Sequence, residues 1–105
     1  MYLTTHELET IRTYFRTKPV LKVWLFGSYA RGEADAESDV DLLIELDDSQ
    51  LIGMQFFGWP VELAEKLGKR IDIGTADTVL SFYKPFIETD KLLIYDETVR
   101  RQTAA

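Results

Sequence analysis

The sequence predicts an α/β (α+β) fold, a mixed β-sheet flanked by helices, in a single domain over residues 1–105. Three observations lead there. Four short runs rich in β-branched, aliphatic or aromatic residues (VLKVWLF, DVDLLIEL, IDI and LLIY) alternate with segments of helical periodicity. Several connections between them are too short for regular parallel crossovers, so the strands cannot all run one way. A chain of 105 residues that is 46% hydrophobic can build one modest core, and no Pro/Ser-rich linker, repeat or low-complexity tract divides it.

The elements follow in order. Thr4 and Glu7, three apart, form a capping box. Leu8, Ile11 and Phe15 continue at helical spacing, so a helix runs from about Thr5 to about Thr17 and Pro19 stops it. Val20 to Phe26 reads as a largely buried strand. Gly27-Ser28 breaks it, Tyr29 to Gly32 forms a short helical turn, and Glu33 to Ser38 is an acidic loop. Asp39 to Leu46 is a second strand, with Val40, Leu42, Ile44 and Leu46 on one face and Asp39, Asp41, Leu43 and Glu45 on the other. Asp47-Asp48-Ser49 closes it as a polar turn. Val61, Leu63, Ala64 and Leu67 outline a second long helix ended by Gly68. A loop or short helix precedes it, and its Phe56, Phe57 and Trp59 are expected in the core. Ile71-Asp72-Ile73 is a short strand, Thr78 to Glu88 a helix despite Pro85, and Leu92 to Tyr95 the last strand. Residues 97–105 are expected to be a loose tail.

Composition narrows the function. Cysteine is absent, which removes disulfides, a Cys nucleophile and thiolate zinc sites. The opening MYLTTHELETIRTYF is neither basic nor followed by a long apolar run, so no secretory signal is expected. No window is apolar enough to span a membrane, and a cytoplasmic location is the expectation. The net charge of −6 disfavours direct binding of nucleic acid, which needs cations at the phosphates. A small phosphate ligand held through metal ions remains compatible with it.

The chemistry concentrates between Glu33 and Asp48, where eight acids occur without a base. Asp39 and Asp41 lie two apart on a strand, so their Cα atoms are about 6.6 Å apart and their side chains share a face. Two bare carboxylates this close raise each other's pKa, and a divalent cation relieves that repulsion. Mg²⁺ suits such a site: hard oxygens, one or two carboxylates, the rest water and substrate phosphate. Asp72, alone between two Ile residues, supplies a third acid if its strand lies beside the second, which would make a two-metal site plausible chemistry. Gly27 permits close backbone approach to a ligand. Ser28 offers a hydroxyl at a helix start, which suits terminal phosphates. Arg31, one turn on, can brace a carboxylate or reach a phosphate. Taken singly, a Gly-Ser turn, a surface Arg, a turn Asp at position 39 and a solvated acidic loop are ordinary features. Asp41 is harder to explain that way, because strand interiors disfavour Asp. His6 has no second His and reads as a surface or cap residue.

Together, GSYARG and SDVDLLIEL, with ten residues between Ser28 and Asp39, resemble the minimal nucleotidyltransferase family of the polymerase-beta-like superfamily. Gly27, Ser28, Arg31, Gly32, Ser38, Asp39, Asp41 and Leu42 carry the likeness, and Asp72 in GKRIDIGT matches the family's later Asp. The resemblance covers Val20 to Tyr95. It implies a polymerase-beta-like fold, Mg²⁺ held by Asp39, Asp41 and Asp72 (two ions), and ATP as substrate with its phosphates at Gly27, Ser28, Arg31 and Ser38. It further implies an antitoxin that transfers AMP to a tyrosine of a HEPN-domain RNase toxin within a hetero-oligomeric complex, releasing pyrophosphate. Gly74 and the glycine-interrupted FFGWP depart from the smoother family pattern without removing a catalytic group. Two alternatives stay open: a nucleotidyltransferase with a small-molecule or nucleic-acid acceptor, and a non-catalytic partner-binding antitoxin.

Overall fold

The Thr4 side chain accepts from the Glu7 amide and the Glu7 carboxylate from the Thr4 amide, so the capping box forms as its spacing requires. It starts α1 (Thr5–Arg16) in a computed structural model that describes residues 1–75 and 90–98. The remaining elements are β1 (Val20–Phe26), α2 (Ser28–Arg31), β2 (Val40–Leu46), a 3-10 helix (Gly53–Gly58), α3 (Trp59–Leu67), β3 (Ile71–Thr75) and β4 (Leu92–Asp96). The helix expected over 78–88 and most of the expected tail lie outside the described residues. Asp39 sits one residue before β2 rather than inside it.

The four strands form one sheet in the order β3-β2-β1-β4. β1 runs antiparallel to both β2 and β4, while β2 and β3 are parallel. The sheet is therefore mixed, as the short connections demanded. The parallel β2-to-β3 step needs a crossover, and the 3-10 helix and α3 supply it. The C-terminal end of β1 and the N-terminal ends of β2 and β3 consequently meet at one end of the sheet.

The core forms where α1 and α3 cover one sheet face. Ile11 and Phe15 of α1, Val40, Leu42 and Ile44 of β2, and Trp59 and Leu63 of α3 join one buried cluster. The Phe15 and Trp59 rings meet edge to face with centroids 6.1 Å apart. The Tyr14 hydroxyl donates to the Glu62 carboxylate and further ties α1 to α3. Leu43, on the opposite face, is buried outside that cluster, opposite Trp24 and Gly74 of the flanking strands. Gly74 is thus part of the ladder, and β3 extends two residues beyond the expected Ile71–Ile73.

Two expectations fail in the α3 region. α3 begins at Trp59, with Pro60 in its first turn, and this sets its rotation. Trp59 and Leu63 then point inward, while Val61 is exposed. Of the three aromatics, Trp59 is buried and Phe56 packs against the core, but Phe57 faces outward. Among the described residues, no helix is long and apolar enough to cross a membrane.

Because Trp59 joins α3 to α1 and contacts the rings of both Phe15 and Phe56, Trp59→Ala should cost about 3–5 kcal/mol. Urea unfolding followed by far-UV circular dichroism checks this. A change of less than about 1 kcal/mol would contradict the packing role.

Candidate active site

Strand register builds the site. Phe26, the last residue of β1, pairs with Asp41, and Asp41 pairs with Asp72 across the parallel β2–β3 ladder. Cross-strand partners share a sheet face, and neighbouring strands lie about 4.8 Å apart. Asp41 and Asp72 thus stand side by side on the face opposite the Val40, Leu42 and Ile44 core. Asp39 precedes them at the same end.

The chain turns at Gly27 directly over Asp41. Gly27 has φ 75° and ψ −154°, a conformation that disfavours any side chain, and a Cβ there would collide with Asp41 Oδ2. Backbone and carboxylate therefore approach as closely as only glycine allows. Ser28 then opens α2, where the Ala30 and Arg31 amides both donate to Gly27 O, at 3.0 and 3.2 Å. Gly32, in the left-handed region, closes α2 through its amide to Ser28 O.

Asp41 is half-buried, and its pKa is pushed up to about 6. Burial is the largest cause, the charges of Asp72 and Asp39 add to it, and the Arg31 charge opposes it. Asp72 and Asp39 are exposed. Asp39 is neutralised by Arg70, whose Nε donates to Asp39 Oδ1 at 2.8 Å. The Arg70 guanidinium also donates to Glu37 O, and its own carbonyl accepts from the Val40 amide at 2.8 Å. Arg70 therefore clamps the start of β3 to the start of β2. The sequence reading gave it no role. The available signal was the basic pair Lys69-Arg70 immediately before the Asp72 strand.

The other expected residues are placed as follows. Arg31 braces carboxylates, with contacts of 2.9 Å to Glu33 and 2.7 Å to Asp90. The Ser38 hydroxyl is engaged within the acidic loop, accepting from the Asp35 amide at 2.9 Å and donating to Asp35 Oδ1 at 3.2 Å. The fold thus brings Gly27, Ser28, Asp41 and Asp72 together, keeps Asp39 at the rim on Arg70, and sets Arg31 and Ser38 around the edge.

The donor set fits a hard cation. Asp41 and Asp72 are adjacent carboxylates whose mutual repulsion is already visible in the raised Asp41 pKa. Mg²⁺ is commonly held by one or two carboxylates plus substrate phosphate. Among the described residues no three metal-capable side chains are already gathered, and recruiting Asp39 requires it to leave Arg70. Beyond Asp72, a groove of about 650 Å³ runs round the β3 edge, walled by Pro60, Val61 and Ala64 of α3 and by Ile71.

A nucleotidyltransferase domain model matches residues 8–98. The chain belongs to the nucleotidyltransferase domain family. This nucleotidyltransferase is 34% identical over 91 residues to the protein adenylyltransferase MntA of Thermococcus cleftensis, covering 74% of this chain and 91% of that one. It is 40% identical over 78 residues to a Methanocaldococcus jannaschii chain provisionally named a protein adenylyltransferase, covering 72% and 76%. Among solved structures, it superposes on a chain of a toxin–antitoxin crystal structure with AMP-PNP at a TM-score of 0.73 and 20% identity, over 85% of this chain and 73% of that one. A chain of the complex between a tri-AMPylated Shewanella oneidensis HEPN toxin and an MNT antitoxin gives 0.69 at 16% identity, over 96% and 79%. At these identities the structural likenesses establish the polymerase-beta-like nucleotidyltransferase fold.

Two outcomes follow from the geometry. Gly27→Ala should lower nucleotide affinity at least about tenfold, because a strained φ and a blocked Asp41 act together; calorimetric titration with AMP-PNP and Mg²⁺ checks this. An unchanged affinity would contradict the close approach. The raised Asp41 pKa means that between about pH 4 and 6 the folded state holds a proton the unfolded state has lost, so the metal-free protein loses stability as pH rises through about 6. In EDTA, the melting temperature of the wild type relative to Asp41→Asn should therefore fall between pH 4.5 and 7. A difference that stays flat would refute the assigned strain.

Proposed function

We propose that this nucleotidyltransferase is a protein adenylyltransferase that moves AMP from ATP to a tyrosine of a HEPN-domain RNase toxin, and thereby serves as its antitoxin. The observation that carries the reading is the Asp41–Asp72 pair under the Gly27 turn, in a chain whose relatives include protein adenylyltransferases.

The proposed arrangement places the β- and γ-phosphates at Gly27 and Ser28, where backbone amides are available. Asp41 and Asp72 would hold Mg²⁺, with Asp39 joining once released from Arg70; two ions are proposed. Held there, such ions would supply charge stabilisation for the phosphoryl transfer. The tyrosine oxygen forms a bond to the α-phosphorus as the bond from that phosphorus to the β-bridging oxygen breaks, and pyrophosphate leaves. Asp72 accepts the tyrosine proton. Arg31 keeps Glu33 and Asp90 paired at the rim and biases Asp41 toward its charged form. An adenylate on the toxin adds negative charge and bulk where RNA phosphates must bind, which is a physical route to inhibition.

With a HEPN-domain RNase as acceptor, ATP and Mg²⁺, intact-mass measurement should show one or more added adenylates on the RNase. Asp41→Asn should reduce the rate by about three orders of magnitude or more, on the scale of losing a principal electrostatic stabiliser. Asp39→Asn should reduce it less, because Asp39 is at the rim, and both variants should keep wild-type circular dichroism. No adenylate from the wild type, or full activity in Asp41→Asn, would overturn the proposal.

A further inference from the structure

The 3-10 helix and α3 carry apolar side chains on two sides. Ile52, Phe56, Trp59 and Leu63 face the core. Met54 and Phe57 of the 3-10 helix and Val61 of α3, spaced by three and four residues, are 79%, 66% and 61% exposed, and Leu51, just before the 3-10 helix, is 99% exposed. Single exposed apolar residues are ordinary, but a succession of large exposed apolar residues at helical spacing marks an interaction surface. Among the described residues they are not part of the buried core cluster.

We propose that this stripe, with the groove it enters between α3 and β3, is where the acceptor protein docks and delivers its tyrosine. The inference rests on the adenylyltransferase reading and adds the surface to it. Continuity is the first argument. Val61 belongs both to the stripe and to the groove, whose far wall holds Asp39 and Asp72. An apolar segment lying on the stripe is therefore led to the reacting carboxylates.

In-line displacement gives the second argument. The entering and leaving oxygens stand on opposite sides of the α-phosphorus. Gly27 follows β1, Asp41 is on β2, and Asp72 is on the edge strand β3. With pyrophosphate at the Gly27–Ser28 turn, the acceptor hydroxyl enters from the β3 side, where the groove opens.

Charge selects the occupant. The groove carries Asp39, Glu65 and Asp72, its Arg70 is paired with Asp39, and the chain bears a net charge of −6. A protein that cleaves RNA needs a cationic site to hold its phosphates. A basic segment of an RNase, flanked by apolar residues, therefore complements this surface.

The test uses Met54→Asp and Val61→Asp in the full chain, with Leu93→Asp as an exposed apolar control on β4. The probe is a HEPN-domain RNase, the acceptor class of the proposed function. Its affinity is measured by calorimetry and adenylate transfer by intact mass, while AMP-PNP binding with Mg²⁺ reports that the variants are folded. Met54→Asp and Val61→Asp should each weaken RNase binding and raise the KM for RNase about tenfold or more, with AMP-PNP affinity unchanged and Leu93→Asp behaving as wild type. Wild-type transfer by both stripe variants overturns the surface while leaving the adenylyltransferase reading intact. Loss only in Leu93→Asp, or a concentration-dependent dimer abolished by Met54→Asp while transfer is unchanged, also overturns it. Failure of the wild type to modify the RNase sinks the parent reading and this inference with it.

Discussion

Two carboxylates standing beside each other on adjacent parallel strands set the terms for the rest of this molecule. The β2–β3 register pairs Asp41 with Asp72, and burial makes the charge on Asp41 costly. At the half-buried position 41, an apolar side chain would avoid that cost in a protein with no use for the charge. The arrangement has physical sense as a cation and phosphate site. Its local elements then follow: the glycine that lets the backbone close over Asp41, Arg31 pairing the acids at the rim, and Arg70 holding Asp39 aside.

The same constraint explains the division of the sheet. One face is occupied by α1 and α3 through Ile11, Phe15, Trp59 and Leu63, which supplies most of the core. The other presents acids at one end, where β1 ends and β2 and β3 begin. That convergence needs the mixed topology. Had β2 and β3 been antiparallel, residues 41 and 72 would not both lie near the start of their strands, at the end where the Gly27 turn lies.

α3 connects the two faces. Inward, it completes the core; outward, it continues an apolar stripe to the edge of the acid site. This domain by itself has little mass with which to enclose a large acceptor. An exposed helix face beside the reacting groups can position a protein acceptor by surface contact, leaving the acceptor to contribute the remaining walls.

Local physics was readable from residues alone. The Thr4–Glu7 box and the β1 run ended by Gly27 depend on neighbours within a few positions, where spacing determines geometry. Val61 faces outward although its spacing reads as core, because Gly58 and Pro60 leave the starting residue of α3, and so its phase, ambiguous. Arg70 passed unnoticed because a basic pair before a strand normally reads as solvated surface. Its partner Asp39 is 31 positions away. Whether Asp72 stands next to Asp41 was likewise beyond the reach of spacing, since strand order and register come from nonlocal pairing. The sequence by itself thus determined which groups could serve a phosphate-transfer site, because side-chain chemistry and short-range geometry travel with the chain. Only the tertiary structure decided which acids meet, which one is held apart and which apolar residues remain exposed, because packing and strand pairing join distant segments.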